Sequence, residues 1–239
     1  MNEKFYTQDN IIEELHTQLK QCKEITKKDF YVIGLGGKES WLTTLAALEV
    51  FGYQNVLAVN IYSIFSNSVL PQKMANLCQE NNIQYCDIDI TAAVQETLSV
   101  PIGLFRIEKE KLHYMMSDLQ KSEIIAMIRN AILRGVADRH DGTLLTGISL
   151  SKIISGWVSP SASMFDWNPL VNCTHYQVQL SITGYNMGIE ILNLPSGLDL
   201  DTKGGPFPLD YGLNFTEDEN LDKNTKDTMI KNIGIGIYQ

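Results

Sequence analysis

The feature that most constrains the fold is a short apolar run that leads directly into a glycine-rich turn. FYVIG at 30–34 has the composition of a strand buried on both faces of a parallel sheet. GLGGKES at 34–40 follows, and apolar residues then recur at helical spacing over 39–50. Gly52 comes just after them, where a glycine usually ends a helix. The segment therefore predicts a strand, a tight turn and a helix in immediate succession.

The rest of the chain continues this alternation of strands and helices. The other predicted elements are a first helix at 8–24, strands at 55–62, 83–88 and 143–146, and helices at 71–81, 108–139 and 172–187. Residues 149–169 are predicted to form a loop, and the tail from 194 is rich in glycine and proline. Such alternation is typical of a doubly wound parallel sheet of the α/β class. Since no long linker interrupts it, residues 1–239 are predicted to form a single domain.

Composition and charge exclude several classes of protein. The net charge of −9 argues against nucleic acid or an anionic membrane as the partner, because both need a basic surface. The four cysteines form no CxxC pair, which argues against zinc and against a secreted disulfide framework. The uncharged stretches at 50–72 and 167–189 are broken by polar residues and proline, and the polar segment MNEKFYTQDN predicts no signal peptide. A cytoplasmic protein is therefore expected.

The glycine-rich turn is a candidate anion site. Glycines leave backbone amides accessible, and the positive end of a helix dipole adds to their attraction for an anion. A lysine and a serine hydroxyl in the same turn suit phosphate oxygens. The candidate nucleotide-binding residues of the turn are Gly34, Gly36, Gly37, Lys38 and Ser40. Glu39 lies among them and is a candidate magnesium ligand.

Phosphate-binding loops of several kinds share this composition. A dinucleotide fingerprint needs a third glycine where Glu39 stands, and an acid near the end of the second strand, where Asn60 stands. The Walker spacing GxxxxGK[ST] is absent. Two interpretations stay open, namely a compact loop of the SGGxDS kind that holds the pyrophosphate end of ATP, and a plain turn in which glycine serves packing.

Further motifs along nearly the whole chain resemble the N-type ATP pyrophosphatases, and among them the ammonia-dependent NAD synthetase family. GLGGKES is similar to the family's SGGxDS loop, and Thr146-Gly147 to its motif after the fourth strand. SMFDWNPL, THYQ (174–177) and LPSGLDL (194–200) are similar to later motifs of the family, in the same order.

The resemblance implies an adenine nucleotide α-hydrolase fold and ATP-dependent amide formation. In that reaction a small-molecule carboxylate attacks the α-phosphate, pyrophosphate leaves, and ammonia displaces AMP. Magnesium and a homodimer are implied as well, and the many apolar residues of 108–139 suit a dimer interface. By position in the motifs, the resemblance implies catalytic roles for Lys38, Glu39 and His175, nucleotide contacts for Thr146, Gly147 and Ser196, substrate contact for Asp166, and metal binding for Glu39.

The chain departs from the family pattern at positions that bear on chemistry. Leu35 replaces the first serine of the loop, Glu39 replaces its aspartate, and His175 replaces a lysine. Lys152 stands on the helix where the family has an acidic metal ligand, and it is interpreted as a surface charge. Arg129 is interpreted as displaced from the position of a family arginine.

These departures leave more than one function open. A divergent amide-forming ligase is favoured. The alternative is a catalytically inactive nucleotide-binding homologue that acts as a sensor or a partner subunit. A relative that inserts sulfur or nitrogen into RNA is disfavoured by the negative net charge and the absence of paired cysteines.

Overall fold

A parallel sheet forms the centre of the fold in the computed structural model, which describes residues 8–64, 70–99, 118–154, 158 and 160–185. Within these residues the strands are β1 (Tyr31–Leu35), β2 (Val56–Tyr62), β3 (Tyr85–Asp89) and β4 (Thr143–Leu145). Their order across the sheet is β3-β2-β1-β4, with every neighbouring pair parallel. Tyr31 is paired with Val56 on one side and Thr143 on the other, so the central strands begin at the same level. The chain moves outward from β1 to β3 and then returns to the other side of β1, which creates a topological switch point between β1 and β4.

Helices cover both faces of this sheet. They are α1 (Gln8–Thr26), α2 (Lys38–Phe51), α3 (Leu70–Glu80), α4 (Thr91–Ser99), α5 (Asp118–Arg139), α6 (Leu150–Ile154) and α7 (His175–Gly184). One hydrophobic cluster joins alternate residues of β1 to α1, α2, α3 and α7, and Trp41 is its largest fully buried side chain. A second cluster on the other face joins Val32 to α4 and α5. The predicted doubly wound α/β fold is therefore confirmed.

Several predicted boundaries differ from the structure. Helix α4 was not predicted from the sequence, because Val94 is its only buried residue and Leu98 is only partly buried, so its apolar pattern is short. The prediction of a continuous loop over 149–169 is wrong, since these residues include α6 and a 3₁₀ turn at Pro160–Met164. The predicted helix at 172–187 begins at His175, and residues 108–117 and the tail from 194 lie outside the described residues. None of the described helices is both long enough and apolar enough to cross a membrane.

The loop after β4 packs directly on the first turns of α2. A Cβ atom at Gly147 would lie 2.7 Å from the carbonyl oxygen of Glu39 and 2.9 Å from Oγ1 of Thr43. Because one of these neighbours is backbone, it cannot move aside cheaply. Glycine at 147 therefore permits the close approach that brings the end of β4 against the glycine-rich turn.

Gly147→Ala is expected to destabilise the protein by about 1–3 kcal/mol, because the added methyl group overpacks this contact. Urea unfolding measures the change in the free energy of unfolding. Gly135→Ala is the matched control, since Gly135 is exposed on α5 and a Cβ there meets nothing within 4 Å. The control should stabilise α5 by about 0.5–1 kcal/mol through helix propensity. Equal effects of the two substitutions would contradict the packing argument.

Candidate active site at the switch point

A cavity of about 200 Å³ opens at the carboxyl ends of the strands, where β1 and β4 lie side by side. Its floor is the glycine-rich turn at 34–37 together with residues 145–147. Val59, Ile61 and Phe165 give it an apolar wall, and Arg129 and Lys152 bring positive charge. Ligands of doubly wound sheets bind at this kind of switch point. The cavity is thus a candidate nucleotide site by its position and by its charge.

The glycine-rich turn directs two backbone amides at one point. The N–H groups of Gly36 and Gly37 both donate hydrogen bonds to Oγ of Ser40, at 3.0 and 3.1 Å. The Ser40 hydroxyl in turn donates to the carbonyl oxygen of Gly37 at 2.8 Å. The turn is therefore preorganised around a single oxygen atom, and its amides converge as they would on an oxygen of a bound anion.

Gly36 is informative because packing does not require glycine there. A Cβ at this position meets nothing within 4 Å, and its φ is not in the left-handed region. Its bare backbone lines the cavity, which suits the close approach of a ligand. At this position the interpretation as a packing glycine is unsupported. Leu35, which precedes it, is 7% exposed and packs into the core, and it also borders the cavity.

Three of the charged residues singled out in the sequence meet beside the turn. Glu39, in the first turn of α2, is only 2% exposed, and its Oε1 lies 2.9 Å from Nζ of Lys152. Nδ1 of His175, the first residue of α7, lies 3.8 Å from the same oxygen. The interpretation of Lys152 as a surface charge is wrong, since its side chain is 21% exposed and pairs with a buried carboxylate. We call Glu39, Lys152 and His175 the charge cluster.

The charge cluster keeps Glu39 ionised. Burial works to raise the pKa of Glu39, but the neighbouring side chains of His175 and Lys152 outweigh it and hold the pKa at about 2. So strong an acid is a poor proton acceptor near neutral pH. The geometry therefore suits Glu39 to positioning Lys152 and His175 rather than to general base catalysis.

The described residues do not fit a protein-bound magnesium ion. Glu39 is the one carboxylate among the described residues that line the cavity, and Lys152 already neutralises it. A magnesium ion at Glu39 would lie beside the ammonium group of Lys152 and would be repelled by its charge. Nowhere in the described part of the chain do three or more His, Cys, Asp or Glu side chains group as metal ligands would.

Other predicted site residues lie in different surroundings. Thr146 and Gly147 line the cavity, and the N–H of Thr146 donates to the carbonyl oxygen of Trp167 at 2.9 Å. Lys38 is half-buried next to the turn but is not among the residues that line the cavity. Burial lowers the pKa of Lys38, although the negative charge of Glu39 acts to raise it. Ser196 lies outside the described residues.

Asp166 holds the chain against β4. Its Oδ2 accepts hydrogen bonds from Arg134 at 2.7 Å and from the N–H of Leu144 at 2.8 Å. It is not among the residues that line the cavity. These contacts attach the segment that follows the 3₁₀ turn to β4 and α5. The role of Asp166 in substrate binding stays a prediction.

His175 is positioned by the start of its helix. Its N–H donates to Oγ of Ser151 at 2.9 Å, which joins α7 to α6. The preceding Thr174 forms a reciprocal capping box with Gln177, in which each side chain accepts from the other residue's N–H, at 3.2 and 2.7 Å. The THYQ motif is thus a helix start that fixes His175 in the charge cluster.

Arg129 lines the cavity, a position that was not predicted for it from the sequence. Leu133, one turn later on α5, packs against Gly34 on the sheet. Helical spacing therefore puts Arg129 on the same face, and α5 runs antiparallel to the strands, so Arg129 lies nearer their carboxyl ends. That reasoning from position could have assigned it to the cavity wall.

Comparison with known proteins agrees with this architecture. The family model described as NAD synthase matches residues 11–195. No curated protein matches the chain by sequence.

Solved structures of three bacterial proteins share the fold. An NMN synthetase from Francisella tularensis is 18% identical with a TM-score of 0.75, covering 95% of this chain and 93% of its own. An NH3-dependent NAD synthetase from Campylobacter jejuni, in complex with nitrate, is 15% identical with a TM-score of 0.71, covering 97% and 95%. A glutamine-dependent NAD+ synthetase from Acinetobacter baumannii, in complex with ADP, is 16% identical with a TM-score of 0.68, covering 98% of this chain but 45% of its own.

The stabilising effect of the charge cluster should depend on pH. Because the folded-state pKa of Glu39 is about 2 against an ordinary 4.5, its contribution is complete above about pH 4.5 and is lost as the pH falls toward 2. Between pH 5 and pH 3 the wild type should lose about 2 kcal/mol more of its free energy of unfolding than Glu39→Gln. Urea unfolding at each pH checks this.

Glu13→Gln, which removes an exposed carboxylate from α1, is the control and should follow the wild type. Parallel curves for the wild type and Glu39→Gln would show that the cluster does not hold Glu39 ionised.

Proposed function

The chain belongs to the NAD synthase family, and from this premise we propose that it is an ATP-dependent ligase that forms an amide from a carboxylate and ammonia. A carboxylate oxygen of the substrate attacks the α-phosphorus of ATP, and the bond to pyrophosphate breaks. Ammonia then attacks the acyl carbon, the bond to AMP breaks, and the nitrogen releases a proton to water.

The observation that carries this proposal is the cavity at the switch point, which is lined both by the converging amides of the glycine-rich turn and by the cations Arg129 and Lys152. In the proposed complex, Gly34, Gly36, Gly37 and Ser40 cradle phosphate oxygens, and Thr146 and Gly147 border the nucleotide. Lys152 and Arg129 stabilise the negative charge that develops on the leaving pyrophosphate. Preorganised charges of this kind act without reorganisation during the reaction, which is why they can supply much of a rate enhancement.

Further roles rest on the resemblance of motifs alone. Lys38 adds positive charge near the phosphates, His175 contacts a phosphate oxygen, Ser196 contacts the nucleotide, and Asp166 contacts the substrate. Glu39 acts by holding Lys152 and His175 in place. Magnesium is expected to accompany ATP, and no step is assigned to it because the described residues offer it no carboxylate that is not already neutralised.

Two carboxylate substrates are the first to test. The structural neighbours include an NMN synthetase and an NH3-dependent NAD synthetase. The acids that correspond to those amides are nicotinic acid mononucleotide and nicotinic acid adenine dinucleotide. We propose one of these as the substrate.

A cytoplasmic location and a homodimer complete the proposal. The dimer is supported by α5, where Met127 is 43% exposed and Ile128 and Ile132 are only partly buried. Sedimentation equilibrium measures the oligomeric state, and a monomer at micromolar concentration would exclude the dimer.

Turnover tests the proposed function directly. With ATP, magnesium, ammonia and either acid, AMP, pyrophosphate and amide should form in equal amounts, as measured by chromatography. Lys152→Met should lower kcat/KM by about 10²–10³, because one preorganised charge is removed from the site. Lys20→Met, on the exposed face of α1, is the control and should leave kcat/KM unchanged.

Two results would contradict parts of this proposal, the first the ligase reaction itself and the second the role of Lys152. If calorimetry detects ATP binding while no AMP forms with any carboxylate, the protein is the inactive nucleotide-binding homologue. If Lys152→Met turns over like the wild type, after correction for the folded fraction, Lys152 has no part in the reaction.

A further inference from the structure

An ion pair with a buried carboxylate in the wall of the cavity is an unusual arrangement. Glu39 is 2% exposed and Lys152 21%, and Oε1 and Nζ are 2.9 Å apart. Buried charges lose their hydration, and replacing such a pair with apolar residues often stabilises a protein. The presence of both charges at this position, facing the cavity, calls for a role beyond stability.

The position of Nζ decides which cations the cavity can hold. A divalent cation bound to Glu39 would need the carboxylate oxygens as ligands. The ammonium group of Lys152 lies at hydrogen-bonding distance from one of them, and the imidazole of His175 approaches the same oxygen at 3.8 Å. A second positive charge in that space would be repelled by the first.

We propose that Lys152 takes the place of a protein-bound metal ion in this cavity, so that Glu39 binds lysine instead of a divalent cation. The role of Lys152 toward phosphate rests on the proposed function, whereas the metal exclusion itself does not. A cation that enters with a nucleotide is then held by the nucleotide and not by Glu39.

The test measures Mn²⁺ binding by electron paramagnetic resonance, which needs no turnover. Four proteins are compared: the wild type, Glu39→Gln, Lys152→Met, and the double variant with both substitutions. Lys152→Met is expected to bind Mn²⁺ at least tenfold more tightly than the wild type, because Glu39 is left without its lysine. The double variant, which lacks both charges, is the matched control and should lose that gain.

A second readout is thermal unfolding of the same four proteins with and without excess Mg²⁺ or Mn²⁺, because a metal ion that binds only the folded state raises its stability. The metal should raise the Tm of Lys152→Met and leave the Tm of the double variant unchanged. An equal rise in both proteins would overturn the proposal.

The comparison of the wild type with Glu39→Gln stays decisive even if Lys152→Met does not fold. The proposal requires equal Mn²⁺ dissociation constants for these two proteins, alone and with a non-hydrolysable ATP analogue. A Mn²⁺ site that is present in the wild type and absent from Glu39→Gln would overturn the proposal. Neither result depends on amide formation, so a failure of the proposed reaction and a failure of the metal exclusion can be told apart.

Discussion

The buried ion pair between Glu39 and Lys152 is the interaction on which the candidate site depends. It joins the first turn of α2 to α6, and through His175 it reaches the first turn of α7. A carboxylate that is 2% exposed is tolerated only while its charge is matched, since an uncompensated buried charge costs several kcal/mol. The three helix starts are therefore held in one arrangement, and the cavity wall takes its shape from them.

In the proposed nucleotide complex, the glycine-rich turn would need little rearrangement to accept a phosphate oxygen. Ser40 occupies the point on which the amides of Gly36 and Gly37 converge, and the close contact of Gly147 with α2 keeps the turn from shifting. An incoming phosphate oxygen would share or replace the Ser40 contact while the backbone stays in place. Little reorganisation is then needed at the moment of binding, which is the property that makes fixed dipoles effective in catalysis.

Local patterns predicted the strands of the sheet and the turn, because a buried strand followed by glycines leaves a signal within a dozen residues. They failed for α4, which has one buried residue, and for α6, which has five residues in all. They also failed for Lys152, since its partner lies more than a hundred positions earlier and no spacing rule connects them. The candidate site could be located from sequence, but the contacts within it depend on tertiary packing.

The departures from the family motifs are best understood as one linked change. Glu39, Lys152 and His175 were each identified in the sequence as a departure at a position that bears on chemistry, and in the structure Lys152 and His175 both lie beside the carboxylate of Glu39. The longer side chain of glutamate, compared with aspartate, gives the carboxylate the reach to meet a lysine on α6. Stability alone would favour apolar residues at such a position, because a buried ion pair seldom outperforms them. That the charges are matched to each other and face the cavity therefore argues for a rewired site over one that has decayed.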